Sequence, residues 1–368
     1  MPHAPQPGLV RITADVADGR VVARTVRSDR PRGLAAAIAR HPPSAIPDLA
    51  RRLFALCGTS HWLAAINALV MAGAAMQAPS PATALRMLAA ERIVAHLQAT
   101  FIDWGNRVRL TAPEAAALAA ALTAAKGSHV NGEVLLDAVT ALGMATRDRP
   151  KSASGCWVER LLIAAGNDAI AQPAFDVLTA GDDEQLLAAL DDQEESFAAA
   201  PWLPGRRPET GPAARAALRG LRAASPAERL CARLAEVAEA ADLIAGTQPP
   251  DPAEWLSTAG LGPRVGFCAV ETPRGRLHHL VRLDPQGAVQ RYLILAPTEW
   301  NFAADGPFAA ALNHFRVGDD HDAARASIAR LASLYDPCVG CAIEVRQLGD
   351  RPASHQRGIS ADAFRGAP

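Results

Sequence analysis

The segment Asp336-Pro337-Cys338-Val339-Gly340-Cys341, near the end of the chain, constrains the fold more than any other. Two cysteines separated by two residues can bring two sulfur atoms to one soft metal ion. Asp336 can N-cap a helix and Pro337 suits the first helical position, so we expect both cysteines at a helix N-terminus, where the helix dipole favours the thiolate. One such pair could also be a redox dithiol, half of a zinc site or two ordinary buried cysteines.

Composition favours a helical protein with a sizeable core, because alanine and leucine dominate the 368 residues and aromatic residues make up only 5%. The net charge of −1 gives no footprint for nucleic acid or a membrane surface, so we expect neither as a partner. Six cysteines are too few for a disulfide scaffold in a chain of this length. The N-terminal sequence MPHAPQPGLVRI has neither a basic region followed by an apolar stretch nor a twin-arginine signal, which predicts a cytoplasmic protein.

One apolar stretch has the length and low charge of a membrane span. Residues 55–85 carry no formal charge. The stretch is nevertheless rich in alanine, contains His61 and Asn67, and is interrupted by Pro79 and Pro81. These features favour a core helix of a folded domain over a span.

The periodicity of apolar residues predicts a single domain over residues 1–368 of the α+β class, mainly α with a smaller β portion. Residues 9–48 predict a β-hairpin, turning at Ala17-Asp18-Gly19, and then a short helix. Residues 49–246 predict a helical region, and 254–344 predict β-hairpin turns that end in the cysteine-pair helix. The polar tail, 345–368, is expected to be mobile. The predicted helices span residues 33–40, 46–56, 61–77, 82–101, 111–126, 131–144, 155–166, 172–180, 182–199, 211–223, 225–245, 307–313 and 321–335.

Five separated segments together resemble the large subunit of nickel–iron hydrogenases, in the order in which that family has them. The resemblance covers residues 9–101 and 262–344, and it implies a truncated version of the large-subunit helical core. The segments are Arg11-Ile12-Thr13-Ala14, Cys57-Gly58-Thr59-Ser60, Glu271-Thr272-Pro273-Arg274-Gly275, Ala296-Pro297-Thr298-Glu299-Trp300-Asn301 and Asp336-Pro337-Cys338-Val339-Gly340-Cys341-Ala342-Ile343-Glu344.

The resemblance implies metal ligands at three cysteines. In the family, the first cysteine of each pair is a terminal nickel ligand, and the second bridges nickel and iron. Carried over, Cys57 and Cys338 take terminal positions and Cys341 a bridging one. The other bridging position is Ser60, whose hard hydroxyl suits neither nickel nor low-valent iron. The family's glutamate for proton relay is replaced by Thr13.

The surroundings of the iron are retained at two positions. In the family, an arginine and a hydroxyl residue surround the cyanide ligands of the iron, and Arg274 and Thr298 match them. Cyanide on iron is an anionic acceptor, for which a guanidinium and a hydroxyl are natural donors. Glu344 stands where the family has its terminal histidine, after which a C-terminal extension is removed.

Departures of this kind resemble the HupK-type hydrogenase accessory proteins, degenerate relatives of the large subunit that are involved in its maturation. The resemblance implies a protein that is not an enzyme and that transiently carries or receives an Fe(CN)₂(CO) fragment, without nickel. It also implies three kinds of partner: maturation chaperones, iron-assembling factors and the large-subunit precursor. Two alternatives stay open, namely a metal-free interaction protein that mimics the large subunit and a divergent hydrogenase.

Simpler roles also stay open for the candidate residues. Cys338 and Cys341 could be buried thiols or a labile disulfide. Arg274 could pair with Glu271, and Thr298 could simply close a turn. The remaining cysteines at positions 156, 231 and 268 match no motif and are expected to be ordinary. Among the histidines, His61 is a possible fourth ligand, whereas the two at positions 278 and 279 are expected to be structural because strand neighbours face opposite sides.

Overall fold

A computed structural model describes residues 8–31, 33–126, 131–146, 154–166, 170, 176–246 and 251–348. These residues form a mainly helical fold with two small sheets, as predicted. Helices α1 to α13 span Leu34–Ala39, Ile46–Leu53, Gly58–Met71, Pro81–Trp104, Ala112–Lys126, Gly132–Leu142, Trp157–Ala165, Asp183–Ala199, Pro212–Leu218, Pro226–Ala245, Pro297–Asn301, Pro307–Leu312 and His321–Leu334. Strands β1 to β7 span Leu9–Ala17, Arg20–Asp29, Leu256–Gly260, Val265–Thr272, Gly275–Leu283, Val289–Leu295 and Gly340–Gln347.

The first sheet joins the two ends of the described chain. Its order is β2-β1-β7, with β1 antiparallel to β2 and parallel to β7. The predicted hairpin is confirmed, and its turn has positive φ at Asp18 (51°) and Gly19 (67°), as tight hairpin turns require. Alternate residues of β1, from Val10 to Val16, are buried. The hairpin therefore fixes β7, which carries Cys341, against the core.

The second sheet has the order β3-β4-β5-β6 and is antiparallel throughout. Strand β4 is buried along its whole length because its two faces pack into different apolar clusters. Helix α3 covers one face so closely that a Cβ on Gly266 would lie 2.0 Å from the carbonyl oxygen of Ala68. This packing places the start of α3 beside the turn between β4 and β5.

The long helices α4 and α10 pack together in the middle of the chain, with Leu88 and Leu230 among their buried residues. The predicted capping box at the start of α5 is present. The Thr111 N–H donates to Glu114 Oε2 at 2.8 Å, and the Glu114 N–H donates to Thr111 Oγ1 at 3.4 Å. Helix starts with explicit capping chemistry were therefore predictable from local sequence.

The predicted helix at the second cysteine pair is wrong. Helix α13 ends at Leu334, Asp336 adopts a positive φ of 45°, and strand β7 begins at Gly340. Two interactions explain the difference. The open edge of β1 takes up the segment as a parallel strand, and the Asp336 carboxylate accepts from Arg274 instead of capping a helix.

Three smaller predictions also differ from the structure. The helix predicted over 172–180 is wrong within the described residues, since Val177 forms a β-bridge with Glu209; residues 171–175 lie outside them. The helix predicted to reach residue 56 ends at Leu53 and is followed by a 3-10 turn. The mobile tail was expected from residue 345, but Val345 is buried in β7, and residues 349–368 lie outside the described part of the chain.

The uncharged apolar stretch 55–85 contains the core helix α3 and the start of α4. Across the described residues, each helix taken alone is too short or too polar to cross a membrane. Pro43–Leu53 and Ala55–Met71 together reach the required length and apolarity, but they are bent by 101°.

Candidate functional site

A cavity of about 2080 Å³ lies where the two cysteine segments meet. Its wall combines the 3-10 turn before α3, the turn between β4 and β5, the start of α11 and the segment leading into β7. All five residues singled out from the sequence line it, although four of them are more than 200 residues from Cys57. They are Cys57, Arg274, Thr298, Cys338 and Cys341.

Cys57 is the N-cap residue of α3 and is 6% exposed. The Arg274 Nη1 group donates to its Sγ at 3.1 Å and to the Leu56 carbonyl oxygen at 3.2 Å. Burial raises the pKa of the Cys57 thiol to about 12, and the charge of Arg274 opposes this only in part. Cys57 is therefore a protonated thiol at neutral pH, held beside a permanent cation.

Arg274 connects the two cysteine segments. Its Nη2 donates to Asp336 Oδ1 at 3.3 Å, two residues before Cys338. Burial alone would lower the pKa of the guanidinium, but the charge of Asp336 raises it above its ordinary value. A guanidinium has five N–H donors and these contacts use three, while Nε has no partner among the described residues. Arg274 therefore has hydrogen-bonding capacity that the described residues leave unused.

The local backbone fixes the position of Arg274. The Arg274 N–H donates to Thr272 Oγ1 at 3.1 Å, and the same hydroxyl donates to the Gly275 carbonyl oxygen at 2.8 Å. The alternative pairing of Arg274 with Glu271 is wrong. The Glu271 carboxylate instead accepts from Arg215 at 2.7 Å and from Arg276 at 2.9 Å.

Thr298 makes the matching contact on the other side of the cavity. It lies in the first turn of α11, which starts at Pro297 as proline favours. Its Oγ1 accepts from the Cys338 N–H at 3.3 Å and lies 3.1 Å from Cys338 Sγ. Either the Thr298 hydroxyl or the half-buried Cys338 thiol can be the donor across this second contact.

Cys341 lines the same cavity from the start of β7. It pairs with Val10 in the first sheet, and burial, with a contribution from Asp103, raises its pKa to about 11. Cys338 is close enough to Cys57 to help raise the pKa of that thiol. Nowhere in the described residues do three cysteine, histidine or carboxylate side chains form a ready metal-binding group. The six cysteines are all free thiols.

Ser60 is engaged by a residue that the sequence did not point to. Its hydroxyl donates to Glu91 Oε2, and the same carboxylate accepts from the Thr59 N–H at 2.6 Å and the Ser60 N–H at 3.0 Å. Glu91 therefore caps the start of α3 from α4, and burial raises its pKa. A partner 31 residues away leaves no local signal, so this carboxylate was missed.

His61 lines the cavity, and two more histidines, His278 and His279, lie in β5. His61 Nδ1 is 3.0 Å from His279 Nε2, and the His61 ring stacks on Phe54 with centroids 4.1 Å apart. His278 faces the other side of β5, where its Nε2 is 3.2 Å from Asp183 Oδ1. The side chains of His278 and His279 therefore lie on opposite faces of β5, as their neighbouring positions in a strand predicted. Asp183, the first residue of α8, is a buried partner of Arg276 and His278.

Known proteins resemble this chain in both fold and sequence. The nickel-dependent hydrogenase family matches residues 212–344. The [NiFeSe] hydrogenase G491S variant of Desulfovibrio vulgaris Hildenborough superposes with a TM-score of 0.57 at 16% identity, covering 88% of this chain and 94% of that one. For the reduced [NiFeSe] hydrogenase of Desulfomicrobium baculatum the TM-score is 0.53 at 16% identity, over 88% and 95% of the two chains. The fold is thus that of the [NiFeSe] hydrogenases, and residues 212–344 match the nickel-dependent hydrogenase family.

Sequence relatives narrow this class. The hydrogenase expression/formation protein HupK of Rhizobium leguminosarum bv. viciae is 35% identical over 93% of this chain and 98% of its own length. The HupK protein of Bradyrhizobium diazoefficiens is 33% identical over 84% and 88%, and the HoxV protein of Cupriavidus necator is 29% identical over 88% and 94%. The chain belongs to the HupK family of hydrogenase expression/formation proteins.

Proposed function

We propose that this chain acts in the maturation of a nickel–iron hydrogenase as an assembly protein that transiently holds an Fe(CN)₂(CO) fragment as cargo. The fragment would lie between Cys57 and Cys338, with Arg274 and Thr298 as hydrogen-bond donors to its cyanide ligands. The expression/formation names of the relatives support the coarse role in maturation. The detailed role rests on the chemistry of the cavity.

One observation carries the proposal. Each of the two sulfurs already lies at hydrogen-bond distance from a side chain that can donate to cyanide, with 3.1 Å between Arg274 Nη1 and Cys57 Sγ and 3.1 Å between Thr298 Oγ1 and Cys338 Sγ. Thiolate sulfur is a soft ligand that suits low-valent iron better than it suits a hard cation. Cyanide bound to that iron is anionic, so nearby hydrogen-bond donors would stabilise it.

The residues present fit the fragment in two further respects. Arg274 has N–H donors to spare, so it could serve a cyanide without giving up Cys57. The cavity, at about 2080 Å³, has room for the fragment together with part of a delivering or receiving protein. Cys341 lines the same wall and could become a third sulfur ligand when the cargo is bound.

The state of Ser60 supports a cargo without nickel. The family's bimetallic site uses four sulfurs, and the position of the fourth is occupied here by a hydroxyl that donates to Glu91. A hydroxyl fixed on a buried carboxylate is a poor ligand for nickel. We therefore expect iron without stoichiometric nickel in the purified protein.

The partners follow from the same proposal. A protein that receives and passes on the fragment needs a donor and an acceptor, which we expect to be iron-assembling factors with a maturation chaperone, and the large-subunit precursor. The proposal also predicts no hydrogen oxidation. A purified protein that reduced a viologen dye with hydrogen, with a candidate small subunit added, would indicate a divergent hydrogenase instead.

Complementation tests the functional role. In cells that lack this protein, the Cys57→Ser, Cys338→Ser and Cys341→Ser variants should each restore much less hydrogenase maturation than the wild type. Cys231→Ser, at an exposed cysteine remote from the motifs, is the matched control and should restore it fully. Full maturation by a Cys57→Ser/Cys338→Ser/Cys341→Ser triple variant would refute cargo binding and favour the metal-free interaction protein.

A further inference from the structure

A chain of three buried side chains runs from the cavity wall into the core. His61 lines the cavity, and its Nδ1 lies 3.0 Å from His279 Nε2. The other nitrogen of that ring, His279 Nδ1, lies 2.7 Å from the Tyr292 hydroxyl oxygen. The three residues are 5%, 0% and 2% exposed, so water does not compete for these contacts.

The Tyr292 hydroxyl determines the direction of both hydrogen bonds. Among the described residues, His279 Nδ1 is the hydrogen-bond partner of the Tyr292 hydroxyl. If the hydroxyl only accepted, its own hydrogen would be buried without an acceptor, which is unfavourable. Tyr292 therefore donates to His279 Nδ1. His279 then carries its ring proton on Nε2 and donates to His61 Nδ1, which leaves the ring proton of His61 on Nε2.

Both imidazoles are neutral, as this ordering requires. Burial lowers the pKa of His61 well below its usual range, and the nearby His279 and Arg30 act in the same direction. Burial likewise lowers the pKa of His279 to about 3. Each ring therefore holds one proton at neutral pH, and the chain has one consistent order of donors and acceptors.

The position of His61 directs this donor at the site. Cys57 is the N-cap residue of α3 and His61 lies four residues later, so the two side chains share one face of the helix. The two nitrogens of an imidazole lie on opposite edges of the ring. With Nδ1 turned to His279, the Nε2–H edge is left for the cavity.

We propose that His61 is a neutral hydrogen-bond donor, through Nε2–H, to an anionic ligand in the cavity, and that His279 and Tyr292 are positioning residues that fix this tautomer. His61 is then not a metal ligand, because a ligating nitrogen needs a free lone pair. The identity of the anion rests on the proposed function, in which it is a cyanide of the iron cargo. His61 would thus add a third donor to Arg274 and Thr298.

The tautomer can be measured on the cargo-free protein. Nitrogen-15 NMR of protein labelled at its ten histidines distinguishes the protonated from the unprotonated ring nitrogen, and His61→Gln identifies the His61 signals by their loss. We expect a protonated Nε2 and an unprotonated Nδ1 at neutral pH. A protonated Nδ1 with a bare Nε2, or an imidazolium, would overturn the inference. This result does not depend on whether iron is ever bound.

The role of the donor is tested by infrared spectroscopy of the loaded protein. His61→Leu removes the donor and should shift one cyanide band, whereas His61→Gln keeps an N–H and should leave the bands near their wild-type positions. His278→Gln is the matched control, since that histidine is buried on the opposite side of β5. Wild-type bands that do not move in folded His61→Leu protein would refute the inference. If the wild type itself has no bands, the proposed function has failed, and the tautomer alone decides about His61.

Discussion

At the scale of single residues, the site depends on polar side chains held at hydrogen-bond distance from sulfur atoms. Thr298 illustrates how narrow this requirement is, because its one hydroxyl both accepts from the Cys338 backbone and faces the Cys338 sulfur. A residue of the same size without the hydroxyl would lose both contacts. A smaller residue with the hydroxyl would keep them.

Thr298 provides the first prediction. Thr298→Val should shift a cyanide band and weaken iron binding by about ten- to a hundredfold, since a hydrogen bond to a charged group contributes about 1.5–3 kcal/mol. Thr298→Ser should retain the iron and the band positions. The measurements are elemental iron and infrared spectra of proteins purified without oxygen. Equal iron in the valine and serine variants would show that the hydroxyl only closes a turn.

The thiol pKa values provide a second prediction. Burial raises the pKa of Cys57 to about 12 and that of Cys341 to about 11, so both are protonated in the empty cavity at neutral pH. Binding iron as thiolates must release those protons. Because both pKa values lie above neutral pH, the free-energy cost of this deprotonation falls as the pH rises. Iron retention against a chelator should increase by up to about tenfold per pH unit for each thiolate between about pH 7 and pH 9. Retention that falls with rising pH would contradict thiolate binding.

The candidate residues were predictable because they sit in short motifs, whereas their partners were not. Cys57, Arg274, Thr298 and Cys338 stand in segments whose order along the chain carries the resemblance. Glu91 carries no such signal, because its role depends on the packing of α4 against the start of α3. Long-range side-chain contacts of this kind are decided by the fold and not by local pattern.

At the scale of elements, the turn between β4 and β5 is held by arginines from two neighbouring helices. Arg215, in α9, donates to Glu236 at 2.6 Å and to Glu271 at 2.7 Å, and Glu236 is 1% exposed. Arg92, in α4, donates to the Glu271 carbonyl oxygen at 3.0 Å. Two helices thereby fix the strand end from which Arg274 extends.

This arrangement predicts unequal effects of two arginine substitutions. Arg215→Met should lower the free energy of unfolding by about 3–5 kcal/mol, because it removes a guanidinium that two buried carboxylates share. Arg219→Met, at the end of the same helix, removes only the exposed pair with Glu239 and should cost at most about 1 kcal/mol. Urea unfolding measures both. Similar losses for the two variants would show that the buried network is not what stabilises the turn.

Element types were predictable where local chemistry agreed with the fold. The β-hairpin, the capping box of α5 and the strand character after residue 252 follow from period and turn residues. The segment after Asp336 was mispredicted because Asp-Pro favours a helix start locally, whereas the open edge of β1 offers a full ladder of backbone hydrogen bonds. That edge lies more than 320 residues away in the sequence, so no local window contains it.

At the scale of the whole molecule, the pairing of β1 with β7 joins the first described strand to the last. Glu344 lies within β7 and pairs with Thr13, and the next residue, Val345, is buried. Cleavage after Glu344 would therefore cut a paired strand and require its end to open.

We accordingly predict that the chain is not processed after Glu344. The processing histidine of the large subunits is absent at this position, and the strand protects the peptide bond. Intact-mass measurement of protein from cells with a complete maturation system would test this prediction. A Glu344→His variant offers the comparison, since continued resistance to cleavage there would assign the protection to the strand. A wild-type species ending at Glu344 would refute the prediction.

The central claim is that Cys57 and Cys338 hold an iron fragment with cyanide and carbonyl ligands. Infrared spectroscopy of protein purified without oxygen, from cells that make hydrogenase, tests it most directly because these ligands absorb where protein does not. We expect one carbonyl and two cyanide bands, lost in Cys57→Ser and Cys338→Ser and kept in Cys231→Ser, with iron but no stoichiometric nickel. The absence of these bands in the wild type, or their persistence in both serine variants at the cavity, would contradict the account.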